Sequence, residues 1–453
     1  MKIGKYMVTG LLGKGGMGRV YKVELPEIGK VAALKLLRPH EHMLSLLGAG
    51  AVEKMFLSEA RILARLRHPN VASILDFDRD QRGRPFFVME YHCMNLGAMI
   101  GEHYMIERPT RIMDPSRSFR YCRQVLAGLD RLHHAGILHR DIKPYNVLIS
   151  ETGEASLIDF GLSLLRGETS RVPETFKVGT PYYAAPEQQE DPDRADPRAD
   201  IYGAGVLMWR LLTGYLPPET GARPRPGSLN KFLGGCWDEF LLKSVSSTPE
   251  KRFADCMEMT EALDNAHAEW RINLEQACRM QEPAQVLDDS KRHWPVVLRR
   301  SPRKIPVKRG REEFGLDYQY RPYALRTGTF YNEGQGVVRD SEHGLLWHKS
   351  ATRYPLDWNE AHSYIESLNS GGFAGILSWR LPTVDELATL IRQVSVLGDY
   401  CVDPIFATGK QRLWSSDRSS YTAAWFVDTE MGYFGAADFN CLFHVRAISD
   451  SRY

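Results

Sequence analysis

The feature that most constrains the fold is a glycine run between two strand-like segments. Residues 13–18, Gly-Lys-Gly-Gly-Met-Gly, fit the pattern G-x-G-x-x-G. Glycine lacks a Cβ atom, so backbone N–H groups in such a turn can approach phosphate oxygens closely. A dinucleotide-binding fold requires a helix directly after this pattern, but residues 19–23 are typical of a strand. The run therefore argues against that fold and leaves two interpretations, a glycine-rich hairpin turn and a phosphate-binding loop.

Residues 1–270 divide into a strand-rich part and a helical part. Strands are predicted where β-branched and aromatic residues cluster between turns, at residues 6–12, 19–23, 31–36 and 86–91. A helix follows the third strand, because Phe56, Ala60 and Leu63 recur at helical spacing. The pattern after Ser116 is mostly helical. A small strand-rich lobe before a larger helical lobe predicts a cleft between them, where ligands tend to bind.

Two charged residues stand in apolar surroundings. Lys35 lies within the apolar run 31–37, and Glu59 lies on the predicted helix among apolar residues. A lone lysine there would ordinarily extend its charged end to solvent. An ion pair between strand and helix explains both positions together. Such a pair would place the ammonium group over nucleotide phosphates.

Residues 139–146, His-Arg-Asp-Ile-Lys-Pro-Tyr-Asn, combine a base, a cation and an amide. Asp141 could orient and deprotonate a hydroxyl, Lys143 could neutralise a phosphoryl group, and Asn146 could bind a metal ion. Asp159 follows 18 residues after Asp141, directly before Phe-Gly, and suits magnesium shared with phosphates. Either segment alone is also compatible with an ordinary polar turn.

The ordered set of these motifs resembles the eukaryotic-like Ser/Thr protein kinase family of bacteria. Gly-Thr-Pro at 179–181, Ala-Pro-Glu at 185–187 and the run beginning at Asp200 extend the resemblance over about residues 4–270. It implies an α+β, bilobal kinase fold, with an N-lobe at about residues 1–91 and a C-lobe at about 92–270. It also implies a peptide-docking surface shaped by residues 179–187.

The resemblance implies the role of each matching residue. Those that would bind ATP are Leu12, Gly13, Lys14, Gly15, Gly16, Met17, Gly18, Arg19, Val20, Ala33, Lys35, Glu59, Met89, Glu90, His92 and Leu148. Met89 would be the gatekeeper, with the hinge at residues 90–92. Asp141 resembles the catalytic base and Lys143 the phosphate-contacting lysine, while Asn146 and Asp159 would bind Mg²⁺.

Further residues indicate the acceptor and its control. Lys143 together with Thr180 favours serine or threonine over tyrosine as acceptor. Arg140 suggests control by phosphorylation of the activation loop, because an arginine can pair with a phosphate. Candidate phosphosites are Thr169, Ser170 and Thr175, which could equally be ordinary polar loop residues. Glu187 would pair with Arg252 in a structural ion pair.

Residues 326–453 form a different kind of region, with five of the nine tryptophans. One helix is predicted from Asp357, its possible cap, to near Leu368. A second helix is predicted over residues 384–393, where Thr383 would be the cap and Glu386 its partner. Gly-Leu-Leu-Trp at 344–347, Trp-Arg-Leu-Pro-Thr-Val-Asp-Glu-Leu at 379–387 and Leu-Trp-Ser-Ser at 413–416 resemble the C-terminal domain family of collagen-like adhesins. The resemblance implies a small C-type-lectin-like α+β domain.

The function of this domain does not follow from its motifs. The triplets of calcium-dependent sugar sites are absent, and tryptophans in a small β-rich domain are more often core than sugar platforms. The favoured hypothesis is a sensor or partner-recognition module with an unknown ligand or protein partner.

Residues 271–325 differ from both flanking regions in charge. Nine Lys or Arg residues and no carboxylate occur within 291–311, together with three prolines. Repulsion and prolines predict an extended basic linker. A solvated linker is favoured over contact with an anionic membrane or nucleic acid.

The whole composition excludes several classes of protein. The formal net charge is only +2, so the chain as a whole is not basic enough to indicate binding to nucleic acid, and no nucleic-acid partner is expected. No membrane span or signal peptide is predicted, and the seven cysteines form no C-x-x-C pair, which together favours a cytoplasmic protein.

The sequence therefore predicts an ATP- and Mg²⁺-dependent protein serine/threonine kinase that acts in signalling on protein substrates with a Ser or Thr acceptor. The alternative from another class is a nucleotide-binding pseudokinase scaffold whose main role is recognition by the C-terminal domain. A small-molecule phosphotransferase is a third option, against which residues 179–187 argue.

Overall fold

A computed structural model of the chain describes residues 1–102, 108–159, 164–165, 182–218, 223–280, 298–393, 400–407 and 412–451. The chain divides into two compact units, Met1–Cys278 and Arg279–Tyr453. Within the described residues, every helix is too short or too polar to cross a membrane.

The first unit begins with an antiparallel sheet of six strands in the order β1-β2-β3-β4-β6-β5. Its strands are β1 (Lys2–Ile3), β2 (Tyr6–Lys14), β3 (Gly18–Glu24), β4 (Val31–Leu37), β5 (Ile74–Arg79) and β6 (Pro85–Glu90). The four strands expected from sequence are confirmed, with ends shifted by a few residues. β1 and β5 were not expected, because β1 is only two residues long and β5 contains two aspartates, a residue type that is depleted in strands.

Two helices follow β4, α1 (Glu41–Leu47) and α2 (Ala49–Arg65). α2 is the predicted helix, and it buries Phe56, Glu59 and Leu63. The Phe56 ring lies 5.1 Å from the Phe87 ring of β6, which packs the helix on the sheet. α1 occupies the segment before α2 and buries only Met43.

The rest of the first unit is mainly helical. Its α-helices are α3 (Leu96–Ile100), α4 (Pro115–His134), α5 (Pro186–Glu190), α6 (Pro197–Thr213), α7 (Pro226–Leu229), α8 (Cys236–Ser244) and α9 (Cys256–Met280). The Asp114 side chain accepts from Arg117 N and caps α4. α6 is buried along its whole length from Ala199, so it forms the centre of this lobe. This agrees with the expectation of a helical lobe after Ser116.

Short strands carry the motif-bearing loops of this lobe. They are β7 (Met94–Asn95), β8 (Ile137–Leu138), β9 (Val147–Ile149), β10 (Ala155–Leu157) and β11 (Leu164–Leu165). β9 and β10 pair in antiparallel register. Just outside this hairpin, Ile158 N donates to Asn146 O at 3.0 Å. The hairpin therefore brings the segment ending at Asn146 next to the segment containing Asp159.

Within the part of it that the structure describes, the second unit has its own core and three sheets. The helices are α10 (Val307–Glu313), α11 (Trp358–Ser370) and α12 (Val384–Ala388). The strands are β12 (Phe330–Gly334), β13 (Val337–Asp340), β14 (Leu345–His348), β15 (Arg392–Gln393), β16 (Tyr400–Cys401), β17 (Arg412–Arg418), β18 (Ala423–Asp428), β19 (Tyr433–Asp438) and β20 (Ile448–Asp450). The sheets have the orders β12-β13-β14-β20, β17-β18-β19 and β15-β16.

The helix caps expected in this unit are confirmed. Asp357 and Glu360 form a capping box at α11, and Thr383 and Glu386 form another at α12. α12 ends at Ala388, so the longer helix expected up to residue 393 is wrong. Residues 392–393 instead pair with residues 400–401 in a small sheet.

The linker expected at residues 271–325 differs from the structure at both ends. α9 continues to Met280, and residues 298–325 belong to the second unit. Leu298, Ile305 and Phe314 are buried in its core. The basic charge that suggested an extended chain is partly neutralised, since Arg299 contacts both Asp385 and Asp417 at 2.6–2.7 Å. Residues 281–297 lie outside the described residues.

Candidate active site

The glycine loop is a tight turn between β2 and β3. Gly15 N donates to Gly18 O at 2.8 Å, which closes the turn. Gly16 O accepts from His40 N at 3.0 Å and Met17 O from Arg38 N at 3.1 Å. Among the described residues, the N–H groups of Gly16 and Met17 have no hydrogen-bond acceptor. One edge of the loop is thus fixed, while two amides remain able to bind an anion.

The remaining loop residues surround this turn. Leu12 and Lys14 are exposed, whereas Arg19 and Val20 are half-buried on β3. Gly18 approaches β4 so closely that a Cβ atom there would lie 2.4 Å from Leu36 O. Glycine is required at this position because the backbones nearly touch. No comparable neighbour surrounds Gly13, where a Cβ atom would have open space.

Lys35 joins the sheet, α2 and the Asp159 segment. Its Nζ atom lies 2.7 Å from Glu59 Oε1, 2.9 Å from Glu59 Oε2 and 3.0 Å from Asp159 Oδ1. Burial alone would lower the pKa of Lys35, but the two carboxylates raise it above its usual value. In turn, the Lys35 charge lowers the pKa of Asp159. The Lys35 ammonium and the Asp159 carboxylate are therefore charged, and the contact between Lys35 and Glu59 predicted from sequence is present.

The predicted adenine pocket and hinge lie beside this ion pair. β4 and β6 pair Ala33 with Met89, and both residues are buried. Leu148 on β9 is half-buried. Glu90 is exposed at the end of β6, and burial lowers the pKa of nearby His92 against the opposing effect of Glu90. His92 is thus neutral at pH 7.

Asp141 is surrounded by the other polar groups of its segment. Lys143 Nζ lies 2.6 Å from Asp141 Oδ2, and Asn146 Nδ2 donates to Asp141 O at 2.8 Å and to Oδ2 at 2.9 Å. Asp141 N donates to His139 Nδ1 at 3.3 Å. Burial lowers the pKa of His139, so its neutral ring can accept at Nδ1 and donate from Nε2 to Ile158 O. The three predicted groups are therefore brought together.

Asp200 on α6 fixes the backbone of this segment from below. Its carboxylate accepts from His139 N at 2.9 Å and from Arg140 N at 2.7 Å, and it contacts His133 Nε2 at 2.8 Å. Arg140 has a positive φ of 68° and Asp159 one of 69°. Such backbone strain in non-glycine residues persists only where surrounding contacts impose it. Asp200 supplies those contacts at Arg140.

The oxygen atoms of Asn146 and Asp159 fit a magnesium ion. Asn146 uses Nδ2 to contact Asp141, which leaves Oδ1 without a donor among the described residues. Asp159 Oδ2 likewise has no donor there, since Lys35 contacts Oδ1. Carboxylate and amide oxygens are ligands that Mg²⁺ accepts, usually together with phosphates and water. The described residues contain no group of three His, Cys, Asp or Glu side chains that could bind a metal unaided.

Comparison with known proteins identifies the first unit. The protein kinase domain family matches residues 6–280, more than half of the chain. The chain belongs to the protein kinase family. Its kinase domain is therefore expected to use ATP and a divalent metal ion.

Curated relatives of the kinase domain are bacterial Ser/Thr kinases. The serine/threonine-protein kinase pkn3 of Myxococcus xanthus is 35% identical, over 55% of this chain and 47% of that protein. PknL of Mycobacterium tuberculosis is 32% identical, over 57% of this chain and 65% of that protein. The chain thus spans about half to two thirds of the length of these relatives.

Solved kinase-domain structures and a second family model also match this chain. The Mycobacterium tuberculosis PknI kinase domain is 24% identical, with a TM-score of 0.45 over 59% of this chain and 97% of that chain. The Lcl C-terminal domain family matches residues 336–449. The second match lies wholly within the second unit.

The structural ion pair expected in the kinase domain is present. Arg252 Nη1 and Nη2 donate to Glu187 Oε1 at 2.6 Å and to Oε2 at 2.8 Å. The Arg252 side chain is fully buried. The pair connects α5 to the segment that precedes α9.

The three candidate phosphosites, and Thr180 with its neighbours at 179–181, lie outside the described residues. Thr169, Ser170 and Thr175, the candidate phosphosites, all fall in 166–181. Residues 160–161, which follow Asp159, also lie outside.

Sequence reasoning assigned no role to Asp200 or His133. Asp200 was recognised only as part of a family-like run, because a buried aspartate on a central helix gives no sign of its partners. The contact between His133 and Asp200 joins α4 to α6 over 67 residues. The one signal in the sequence for this contact was a basic residue, arginine or histidine, near the end of the helix that became α4.

Proposed function

We propose that this chain is a protein serine/threonine kinase that transfers the γ-phosphoryl group of ATP with Mg²⁺. The observation that carries the proposal is the convergence of the Lys35 ion pair with the Asp141 cluster beside Asp159. A protein that only bound nucleotide would have no need of both. The identity of the curated relatives supports serine or threonine as the acceptor.

The proposed reaction uses each group in a stated role. Lys35 would contact the ATP phosphates beneath the glycine loop, and the free amides of Gly16 and Met17 would bind phosphate oxygens. Asn146 and Asp159 would bind Mg²⁺, which neutralises developing charge on the phosphates. Asp141 would orient the substrate hydroxyl and accept its proton, while Lys143 would stabilise the transferred group. Catalysis would thus come mainly from positioning and electrostatics.

The test is phosphorylation by the purified full-length chain with radiolabelled ATP, followed by mass spectrometry of modified sites. Asp141→Asn and Lys35→Met should lose nearly all activity toward a generic acceptor while remaining folded. Asp130→Asn and Lys54→Met make the same changes at exposed helix positions, and they should retain activity. Full activity in Asp141→Asn would refute the assigned base.

The same experiment tests the pseudokinase scaffold. A scaffold would bind ATP without transferring phosphate, so wild type and Asp141→Asn would both be inactive while retaining nucleotide binding. The intact set of Lys35, Asp141 and Asp159 favours the enzyme. Phosphorylation at Thr169, Ser170 or Thr175 in the wild type would also support control through the activation loop.

We also propose that the second unit is a sensor or partner-recognition module with a C-type-lectin-like fold. Its separate core and its match to the Lcl C-terminal domain family support an independent role. Ending the chain after Met280 should preserve nucleotide binding but change the substrates or partners of the kinase. Unchanged activity, substrate choice and partner profile would contradict this role.

The cytoplasmic location remains a prediction from the sequence. Fractionation of cells that express the full-length chain would test it directly. The protein substrates, and the ligand or protein bound by the second unit, are to be sought by comparing phosphorylated proteins between wild type and Asp141→Asn.

A further inference from the structure

A buried carboxylate lies where three parts of the kinase domain meet. Glu102 lies two residues after the end of α3 (Leu96–Ile100). It is only 8% exposed. Its Oε2 atom accepts from Arg210 Nε of α6 at 3.0 Å, and its Oε1 atom accepts from the Tyr183 hydroxyl at 3.1 Å. Both carboxylate oxygens therefore have buried partners.

The backbone of the same residue contacts the Asp141 segment. Tyr145, which lies between Lys143 and Asn146, donates its hydroxyl proton to Glu102 O at 2.6 Å. Its ring lies so close to α3 that a Cβ atom on Gly97 would approach it to 2.8 Å. Glu102 thus connects Tyr145 and Tyr183 through two different groups.

Tyr183 belongs to the segment that leads into α5. Its hydroxyl remains protonated, because burial and the neighbouring Glu102 raise the pKa of Tyr183 well above its ordinary value. The preceding residue, Tyr182, has a positive φ of 75° and is 37% exposed. A strained, exposed residue next to a buried anchor keeps one orientation only because the anchor imposes it.

A second contact ties this segment to the Asp141 loop. Gln188 Nε2 donates to Arg140 O at 2.8 Å, and Gln188 is buried. The segment at 182–190 is therefore fixed to the loop from both sides, through Gln188 and through Glu102. A peptide whose hydroxyl reaches Asp141 would have to pass along it.

We infer that Glu102, paired with Arg210, is a positioning residue that fixes the Tyr183 segment against the Tyr145 loop and thereby sets the affinity for the acceptor peptide. This rests on the proposed kinase function. These contacts join Glu102 to Tyr145, Tyr183 and Arg210 rather than to Lys35 or the glycine loop, so we expect the binding of ATP not to depend on them. If the pair of Glu102 and Arg210 were purely structural, its loss would lower the stability of the domain. It would not change the KM for the peptide more than the KM for ATP.

The test compares steady-state kinetics of full-length variants with an acceptor peptide that the wild type phosphorylates. Tyr183→Phe removes only the hydroxyl and leaves the ion pair, so the peptide KM should rise about three- to tenfold, the effect of one hydrogen bond. The KM for ATP should stay within twofold. Glu102→Gln, which keeps an acceptor for Tyr183 but removes the charge opposite Arg210, should raise the peptide KM further.

Tyr121→Phe is the matched control. Tyr121 is a buried tyrosine of α4 whose hydroxyl contacts Arg117 Nε at 3.3 Å, away from the segment at 182–190. It should lower the melting temperature as much as Tyr183→Phe but leave both KM values unchanged. Equal peptide KM values for wild type and Tyr183→Phe would overturn the inference. An inactive wild type would instead refute the proposed function.

Discussion

Lys35 and Glu59 meet across the interface between β4 and α2, with Nζ 2.7 Å from Oε1. The Glu59 side chain is 1% exposed and that of Lys35 11% exposed. The Glu59 carboxylate is therefore almost completely shielded from water. The Lys35 ammonium group is the main partner that compensates for its lost hydration. The contact fixes the orientation of Lys35 toward Asp159, so the geometry of the phosphate site depends on Glu59 through its contact with Lys35.

Glu59→Gln should weaken catalysis without unfolding the domain. The amide keeps the shape of the side chain but removes its charge, and a hydrogen bond to a charged group contributes about 1.5–3 kcal/mol. We expect kcat/KM for ATP to fall about ten- to a hundredfold. Glu53→Gln, an exposed position on the same helix that pairs with Arg79, should leave it unchanged. Equal losses in both variants would contradict a specific role for Glu59.

Asp200 should make stability depend on acid pH. Burial alone would raise the pKa of Asp200, but the hydrogen bonds that its carboxylate accepts from His133 and from backbone N–H groups lower it. The unfolded chain then binds the proton at higher pH than the folded chain. The stabilisation is complete above an unfolded aspartate pKa of about 3.9, and it is lost as the pH falls through the folded-state pKa.

The measurement for Asp200 is urea unfolding of wild type and Asp200→Asn between pH 7 and pH 3. At pH 7 the variant should be less stable by about 1.5–3 kcal/mol, the range for hydrogen bonds to a charged group. The difference should shrink below about pH 4. Asp264→Asn, at a partly exposed aspartate paired with Arg123, should change little. A difference that is constant over the whole pH range would disagree with the proposed ionised state.

Gly18→Ala and Gly13→Ala should differ in thermal stability, although both place a methyl group in the glycine loop. A Cβ atom at Gly18 would lie 2.4 Å from Leu36 O, so β3 must move away from β4. We expect a melting temperature lower by several degrees, because overpacking typically costs about 1–3 kcal/mol. Gly13→Ala meets no atom within 4 Å and should keep the wild-type melting temperature. Identical melting curves for the two variants would contradict the close approach.

Asp417→Ala should destabilise the second unit far more than Asp450→Ala. Asp417 is fully buried, binds Arg299 through both oxygens and accepts from Arg303 N and Val384 N. Breaking a buried pair typically costs about 3–5 kcal/mol. Asp450 pairs with Arg300 and Arg380 while half-exposed, and such surface pairs contribute about 0–1 kcal/mol. Limited proteolysis of the full-length chain should therefore cut near residues 298–306 faster in Asp417→Ala only.

Local pattern was enough for much of the kinase domain. Clusters of β-branched and aromatic residues between turns predicted four strands of the first sheet, and helical spacing at Phe56, Ala60 and Leu63 predicted α2. The ion pair of Lys35 and Glu59 followed from two charges in apolar surroundings. Each of these inferences uses neighbours in sequence, or a burial conflict that is visible without coordinates.

The basic segment shows where composition was misleading. Nine cations without a carboxylate predicted an extended linker, yet residues 298–325 are folded into the second unit. The carboxylates that neutralise Arg299 come from Asp385 and Asp417, about 90 to 120 residues later in the chain. Local charge counts cannot include partners that only the fold brings near.

The sequence by itself determined the chemistry of this protein: which residues could bind phosphate, metal and a hydroxyl, and in what order they occur. Only the tertiary structure decided how those residues are supported, by Asp200 beneath the loop and Glu102 beside it. The reason is physical, because a motif's reactive groups are close in sequence or recognisable by type. The buried partners that orient them come from distant helices, and any residue with a suitable hydrogen-bonding group and the right position can serve.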